Sequence, residues 1–153
     1  MPELNHTVSD FEFKATPDRT GSLSDLKGKH VVLYFYPKDN TPGCTTEGQD
    51  FATHYPAFEK ANTVIFGVSK DSLKSHQNFK AKYAFPFDLI TDKDESLCSL
   101  FDVIREKSMY GKTYLGIDRS TFLIDSKGIL RREWRGVKVN GHVEEVLAAV
   151  QAL

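Results

Sequence analysis

The chain has 153 residues, with 20 basic and 21 acidic side chains and a net charge of −1, so no strong global field draws it to nucleic acid or an anionic membrane. With 40% hydrophobic and 27% charged residues it has a globular composition, and its length suits one domain, residues 1–153, whose core needs no disulfide or metal. The longest apolar run, Val31 to Tyr36, is too short to span a bilayer, and Met1-Pro2-Glu3-Leu4-Asn5 carries neither the basic start nor the apolar stretch of a secretory signal.

Phe11-Glu12-Phe13-Lys14-Ala15 alternates like a short strand, and Thr16-Pro17-Asp18-Arg19-Thr20-Gly21 reads as a turn. Ser22 to Gly28 predicts a short helical turn ending at glycine. Val31–Tyr36 is a continuous apolar strand, and Phe51, Tyr55 and Phe58 stand at i, i+4 and i+7 in a helix predicted over Cys44–Lys60. Thr63–Ser69 is a second central strand, followed by a helix capped by Asp71 or Ser72 and running to about Tyr83, and by a third strand over Phe87–Thr91. Leu97, Leu100, Phe101 and Ile104 form a helical stripe. Thr121–Asp125 and Ile129–Trp134 flank Ser126-Lys127-Gly128 as a hairpin, and a last helix carries Val143, Val146, Leu147 and Val150 on one face. The order β-α-β-α-β-α-β-β-α predicts an α/β fold, thioredoxin-like, with a central mixed β-sheet flanked by helices on both faces.

Cys44 is the residue that points to chemistry. It follows a strand and the Pro/Gly turn Tyr36-Pro37-Lys38-Asp39-Asn40-Thr41-Pro42-Gly43, and so falls at or near the N-terminus of the next helix. Unpaired backbone N–H groups and the positive end of the helix dipole stabilise negative charge there, and the thiolate is the form of cysteine that reacts. The other cysteine, Cys98, makes with it neither a CxxC pair nor a disulfide framework. That usage fits a reducing cytoplasm, the location expected for this chain. His6, His30, His54, His76 and His142 lack metal-ligand spacing, and neither GxGxxG nor a P-loop is present, so no metal, nucleotide or flavin cofactor is expected.

The ordered set of motifs resembles the peroxiredoxins, specifically the bacterioferritin comigratory protein (peroxiredoxin Q) group. Pro37, Thr41 and Cys44 match the family's P-x-x-x-[TS]-x-x-C signature, Glu47 its glutamate after the cysteine, and Arg119 in Gly116–Asp125 its late-strand arginine. Further likeness lies in Tyr34-Phe35-Tyr36-Pro37, Lys107–Lys112, Trp134–Lys138 and Gly141-His142. The resemblance implies a thiol peroxidase acting on hydrogen peroxide and organic hydroperoxides, with Cys44 as the sulfur that becomes sulfenic acid. Thr41 would orient peroxide and sulfur, Arg119 would hold the thiolate and polarise the O–O bond, and Pro37 would shield the pocket. Backbone N–H groups around Gly43 and Cys44 would bind the oxygens. Glu47 would pair with Arg119 and aim it, although a carboxylate in a first helical turn also suits the dipole alone. Each of the others has a plainer use as well: Thr41 in turn chemistry, Pro37 as a strand end, Arg119 as a solvated charge.

Many members of that group carry a resolving cysteine five residues after the first, where this chain has Gln49. Cys98 is the remaining candidate for resolving, with an inert buried thiol as its alternative. One-cysteine behaviour is therefore expected, with thioredoxin, glutaredoxin or glutathione reducing Cys44 from outside and a monomer as the family's implied state. Two other readings compete: a thioredoxin-like disulfide oxidoreductase, disfavoured because CxxC spacing is missing, and a thioredoxin-fold holdase or binding protein, whose sign would be an exposed apolar patch.

Overall fold

Side-chain alternation along one strand sets the architecture. In the computed structural model, which describes residues 2–153, strand β3 (His30–Phe35) is central. Val31, Leu33 and Phe35 point into one apolar cluster, whereas Val32, Tyr34 and the following Tyr36 point into another. Successive strand residues face opposite sides of a sheet, so a strand apolar on both faces must be covered twice.

The covering comes from β4 (Thr63–Ser69) and β5 (Asp88–Thr91) in parallel register on one side of β3, and β8 (Ser120–Ile124) and β9 (Leu130–Trp134) antiparallel on the other. β1 (Glu12–Ala15) and β2 (Arg19–Ser22) extend the β5 edge, giving a seven-stranded mixed sheet in the order β2-β1-β5-β4-β3-β8-β9. Helices α1 (Pro42–Lys60), α2 (Leu73–Tyr83) and α4 (His142–Gln151) bury Phe51, Phe58, Phe79, Val143 and Val146 against one face. Helix α3 (Ser96–Leu100) places Leu97 and Cys98 on the other. Helices on both faces of a mixed sheet are the arrangement that the sequence implied. Among the described residues no helix is long and apolar enough to cross a membrane.

Two expectations need correction. Only Thr16–Asp18 of the expected turn is a turn; Arg19–Ser22 is the polar edge strand β2, and Gly21 lies opposite Phe13, whose ring occupies the space of a Cβ. The stripe ending at Ile104 is not one helix. Asp102 turns left-handed (φ 54°), Val103 N–H returns to the Cys98 carbonyl, and Ile104 begins a strand. That strand, β6 (Ile104–Met109), pairs with β7 (Lys112–Ile117) in a separate hairpin, turned by Tyr110 and Gly111, both at positive φ. Apolar spacing alone cannot separate a five-residue helix plus strand from a longer helix.

Gly48, in the middle of α1, marks where that helix presses on the core: a Cβ there would stand 2.5 Å from the Phe85 ring. Alanine favours a helix over glycine by about 1 kcal/mol, but overpacking a closed contact costs about 1–3 kcal/mol. Gly48→Ala is therefore expected to lower stability in urea unfolding, and a stabilised variant would contradict this packing.

Candidate active site

β3 delivers the chain to one end of the sheet, and a five-residue loop, Pro37–Thr41, turns it into α1. Pro42 at the first helical position fixes a helical φ and has no N–H to leave unpaired. Thr41 is the N-cap but makes no side-chain cap bond; its hydroxyl donates instead to the Lys38 carbonyl at 2.9 Å. The backbone N–H groups of Gly43 and Cys44, in the first turn, consequently have no intrahelical partner. Cys44 is 2% exposed.

Arg119 reaches the same point from the opposite direction. It directly precedes β8, whose Ser120 pairs with Phe35 of β3, so strand register sets the guanidinium beside the start of α1. Nη2 donates to Cys44 Sγ at 3.4 Å and Nη1 to Glu47 Oε1 at 2.6 Å. Glu47 stands one helical turn after Cys44, on the same face. Gly43 supplies clearance, since a Cβ there would lie 3.2 Å from Nη2.

Glu47 is completely buried, and its Oε2 has no hydrogen-bond partner among the described residues. Burial pushes its carboxyl up to about 7, with Arg119 pulling the other way. For Arg119, burial works against the charge, but Glu47 and then Cys44 outweigh it and hold the guanidinium above its ordinary value. A guanidinium N–H donated to sulfur favours negative charge on that sulfur.

Pro37 is exposed, next to the buried Tyr36. Tyr36, Phe85 and Phe87 are core residues, whereas Tyr110, at the hairpin tip, is 96% exposed. Cys98 belongs to the apolar cluster on the other face of the sheet from Cys44. It is fully buried, and burial followed by the Asp92 carboxylate, which caps α3 by accepting from the Cys98 N–H at 2.8 Å, pushes its thiol far up.

Several polar groups near the site escaped the sequence reading. The Tyr34 hydroxyl is buried without a partner among the described residues. His142, held down at about 4 by burial, with Glu145 opposing and Arg119 assisting, bonds Thr121 Oγ1 at 2.8 Å. Asp39 and His76 are joined beneath the loop. His76 had a signal: it shares a helix face with Phe79 and Tyr83, the place of a buried histidine.

The family model described as AhpC/TSA family matches residues 4–133. Peroxiredoxin Bcp of Xanthomonas campestris pv. campestris is 59% identical over 150 residues, covering 98% of this chain and 94% of that protein. Peroxiredoxin Bcp of Bacillus subtilis is 49% identical over 149 residues, covering 97% and 95%. A cysteine-to-serine mutant of Xylella fastidiosa PrxQ superposes with a TM-score of 0.94 at 45% identity, over 99% of this chain and 97% of that one. The Xanthomonas campestris bacterioferritin comigratory protein, solved as trapped-intermediate and ligand complexes to study alkyl peroxide reduction, gives a TM-score of 0.89 at 52% identity, over 93% and 90%.

The buried carboxyl makes stability depend on pH with a definite sign. Between 4.5 and about 7 the folded state keeps a proton on Glu47 that the unfolded chain has released, so this group's contribution is complete below that window and is lost as pH rises through it. Relative to Glu47→Gln, the wild type is expected to lose about 3 kcal/mol of stability between pH 4.5 and 7.5 in urea titrations. Parallel profiles would contradict the assignment.

Proposed function

The chain belongs to the AhpC/TSA family and is a peroxiredoxin of the Bcp and PrxQ group, a thiol peroxidase, and on that premise we propose that Cys44 is the sulfur that peroxide oxidises. The observation carrying this reading is the 3.4 Å bond from Arg119 Nη2 to Cys44 Sγ. The whole chain acts as a single domain around this one site.

The thiolate of Cys44 attacks the terminal oxygen of the hydroperoxide. An S–O bond forms, the O–O bond breaks, and its electron pair leaves on the second oxygen, which takes up a proton to become water or an alcohol; the sulfur is oxidised to sulfenic acid. Arg119 offers N–H donors where negative charge moves from sulfur to oxygen, and the free N–H groups of Gly43 and Cys44 add two more. Thr41, with its proton committed to Lys38, keeps lone pairs that accept from the peroxide O–H. Pro37 keeps water off the loop side, and Glu47 fixes the guanidinium by holding its other nitrogen.

A thiol reductant closes the cycle. Its thiolate attacks the sulfenic sulfur, water leaves, and a mixed disulfide forms that a second thiol then cleaves. Thioredoxin, glutaredoxin and glutathione all have the required chemistry, acting on a monomer in the cytoplasm. The one-cysteine route is supported by Gln49 at the near resolving position and by Cys98 facing away from Cys44 across the sheet. The holdase reading has less support. The exposed apolar residues of the β6–β7 hairpin divide between its faces, Met109 and Tyr114 with Lys107 and Lys112 on one, Leu115 with Glu106 on the other.

Cys44→Ser is expected to lose peroxide consumption altogether, and Cys98→Ser to retain it within about twofold, since Cys98 touches no reacting atom. Intact mass after one equivalent of peroxide should show oxygen added to Cys44; loss of two hydrogens as a Cys44–Cys98 bridge would overturn the one-cysteine route.

A further inference from the structure

Beneath the Pro37–Thr41 loop lies a buried polar cluster that the chemistry above does not use. Asp39 is 6% exposed and His76 is wholly buried. His76 Nε2 is 2.9 Å from the Ile90 carbonyl oxygen, which can only accept, so that nitrogen carries hydrogen. His76 Nδ1 is 2.7 Å from Asp39 Oδ2. With Nε2 already protonated, a bond at that separation from the carboxyl group requires a second proton, and the pair is joined whichever atom holds it.

Further bonds converge on the same aspartate. The Tyr36 hydroxyl donates to Oδ1 at 2.6 Å, and Ser75 Oγ to Oδ2 at 2.8 Å. The Asp39 backbone N–H donates to Asp71 Oδ2 at 2.8 Å, and Ser69 Oγ donates to that same oxygen at 2.5 Å. Donor atoms of Asp39, Asp71 and His76 lie within 4.8 Å of one another, but these bonds already account for them, and no cation is required. One residue on, Asn40 is left-handed (φ 65°) and its Oδ1 accepts from Lys82 Nζ at 3.3 Å and Tyr83 Oη at 3.4 Å. The loop between β3 and α1 is thus fastened to both ends of α2.

We infer that the buried Asp39–His76 pair positions the peroxide-binding loop, fixing the Lys38 carbonyl and through it the Thr41 hydroxyl over Cys44. This rests on the reading of Cys44 and Thr41 given above. A buried polar pair of this kind is a poor source of stability, because well-packed apolar residues often replace one at no loss, whereas its bonds to Tyr36, Ser75 and β5 hold the loop between β3 and α1. Asp39 and His76 are positioning residues and touch no reacting atom.

Two reactions of Cys44 separate positioning from other effects. Peroxide needs the loop geometry, whereas alkylation by iodoacetamide needs only an accessible thiolate. In Asp39→Ala the second-order rate with hydrogen peroxide is expected to fall about 10- to 100-fold, with alkylation changed less than about threefold, the scale of a misplaced reacting geometry. Asp39→Asn, whose amide can donate to a neutral His76 Nδ1 and still accept from Tyr36, should restore the peroxide rate to within about threefold of wild type. Should Asp39→Ala fail to fold, Asp39→Ala/His76→Leu removes the pair without stranding a buried charge and is expected to fold with the same selective loss of peroxide rate. A folded variant lacking the pair that reacts with peroxide at the wild-type rate would overturn the inference, as would equal losses in both reactions. Peroxide turnover persisting in a parallel Cys44→Ser sample would instead sink the reading of Cys44.

Discussion

One guanidinium joins the two halves of the site. Arg119 arrives from the start of β8, and Cys44 and Glu47 arrive from the first turns of α1. Only the antiparallel register of β8 on β3 brings those segments together. The fork geometry matters because one nitrogen can be tied to a carboxylate while another faces sulfur. Glu47 is a costly partner: fully buried, with one oxygen unpaired among the described residues and its carboxyl raised to about 7. Such a group is expected where it directs something else, and breaking a buried pair strands the survivor. The room for the guanidinium comes from Gly43, where a side chain would crowd Nη2.

The same sheet that builds the site also divides the two cysteines. β3 sends alternate side chains to two clusters, Cys44 lying in one and Cys98 in the other. The two thiols are both buried but have different polar neighbours. Cys44 receives a guanidinium N–H, while Cys98 sits under a carboxylate in an apolar cluster that disfavours its ionised form. A sulfur that does not ionise does not attack a sulfenic acid. The external reductant proposed for Cys44 thus has support from the topology as well as from Gln49 at the near resolving position.

Legibility in the sequence followed the range of the interaction. Strands β3, β4 and β8, the turn at Ser126–Gly128, and the Ser72 cap of α2, which accepts from Ser75 N–H at 3.1 Å, are governed by local pattern and stood where expected. The place of Cys44 in the first turn of a helix was legible because strand, Pro/Gly turn and helix are all local. The Arg119–Glu47 pair was legible only through family likeness, since nothing in composition relates positions so far apart. β2 and the β6–β7 hairpin escaped because polar edge strands show little alternation. The stripe through Ile104 misled because helical spacing continued past Asp102, where the backbone turns left-handed. Asp39 was invisible as a buried group: a charged residue in a Pro/Gly turn reads as surface, and only His76 on an aromatic helix face could have exposed its partner.

Arg119→Lys tests the fork most directly, because it keeps the charge and removes the second nitrogen that lets one side chain hold Glu47 and face Cys44 at once. The quantity to measure is the second-order rate of Cys44 oxidation by hydrogen peroxide, followed through the fluorescence of the single tryptophan, Trp134, which packs against the Cys44 cluster. A fall of about 100-fold in a folded variant is the expected result, the usual loss for one preorganised donor. A rate within about threefold of wild type would contradict it.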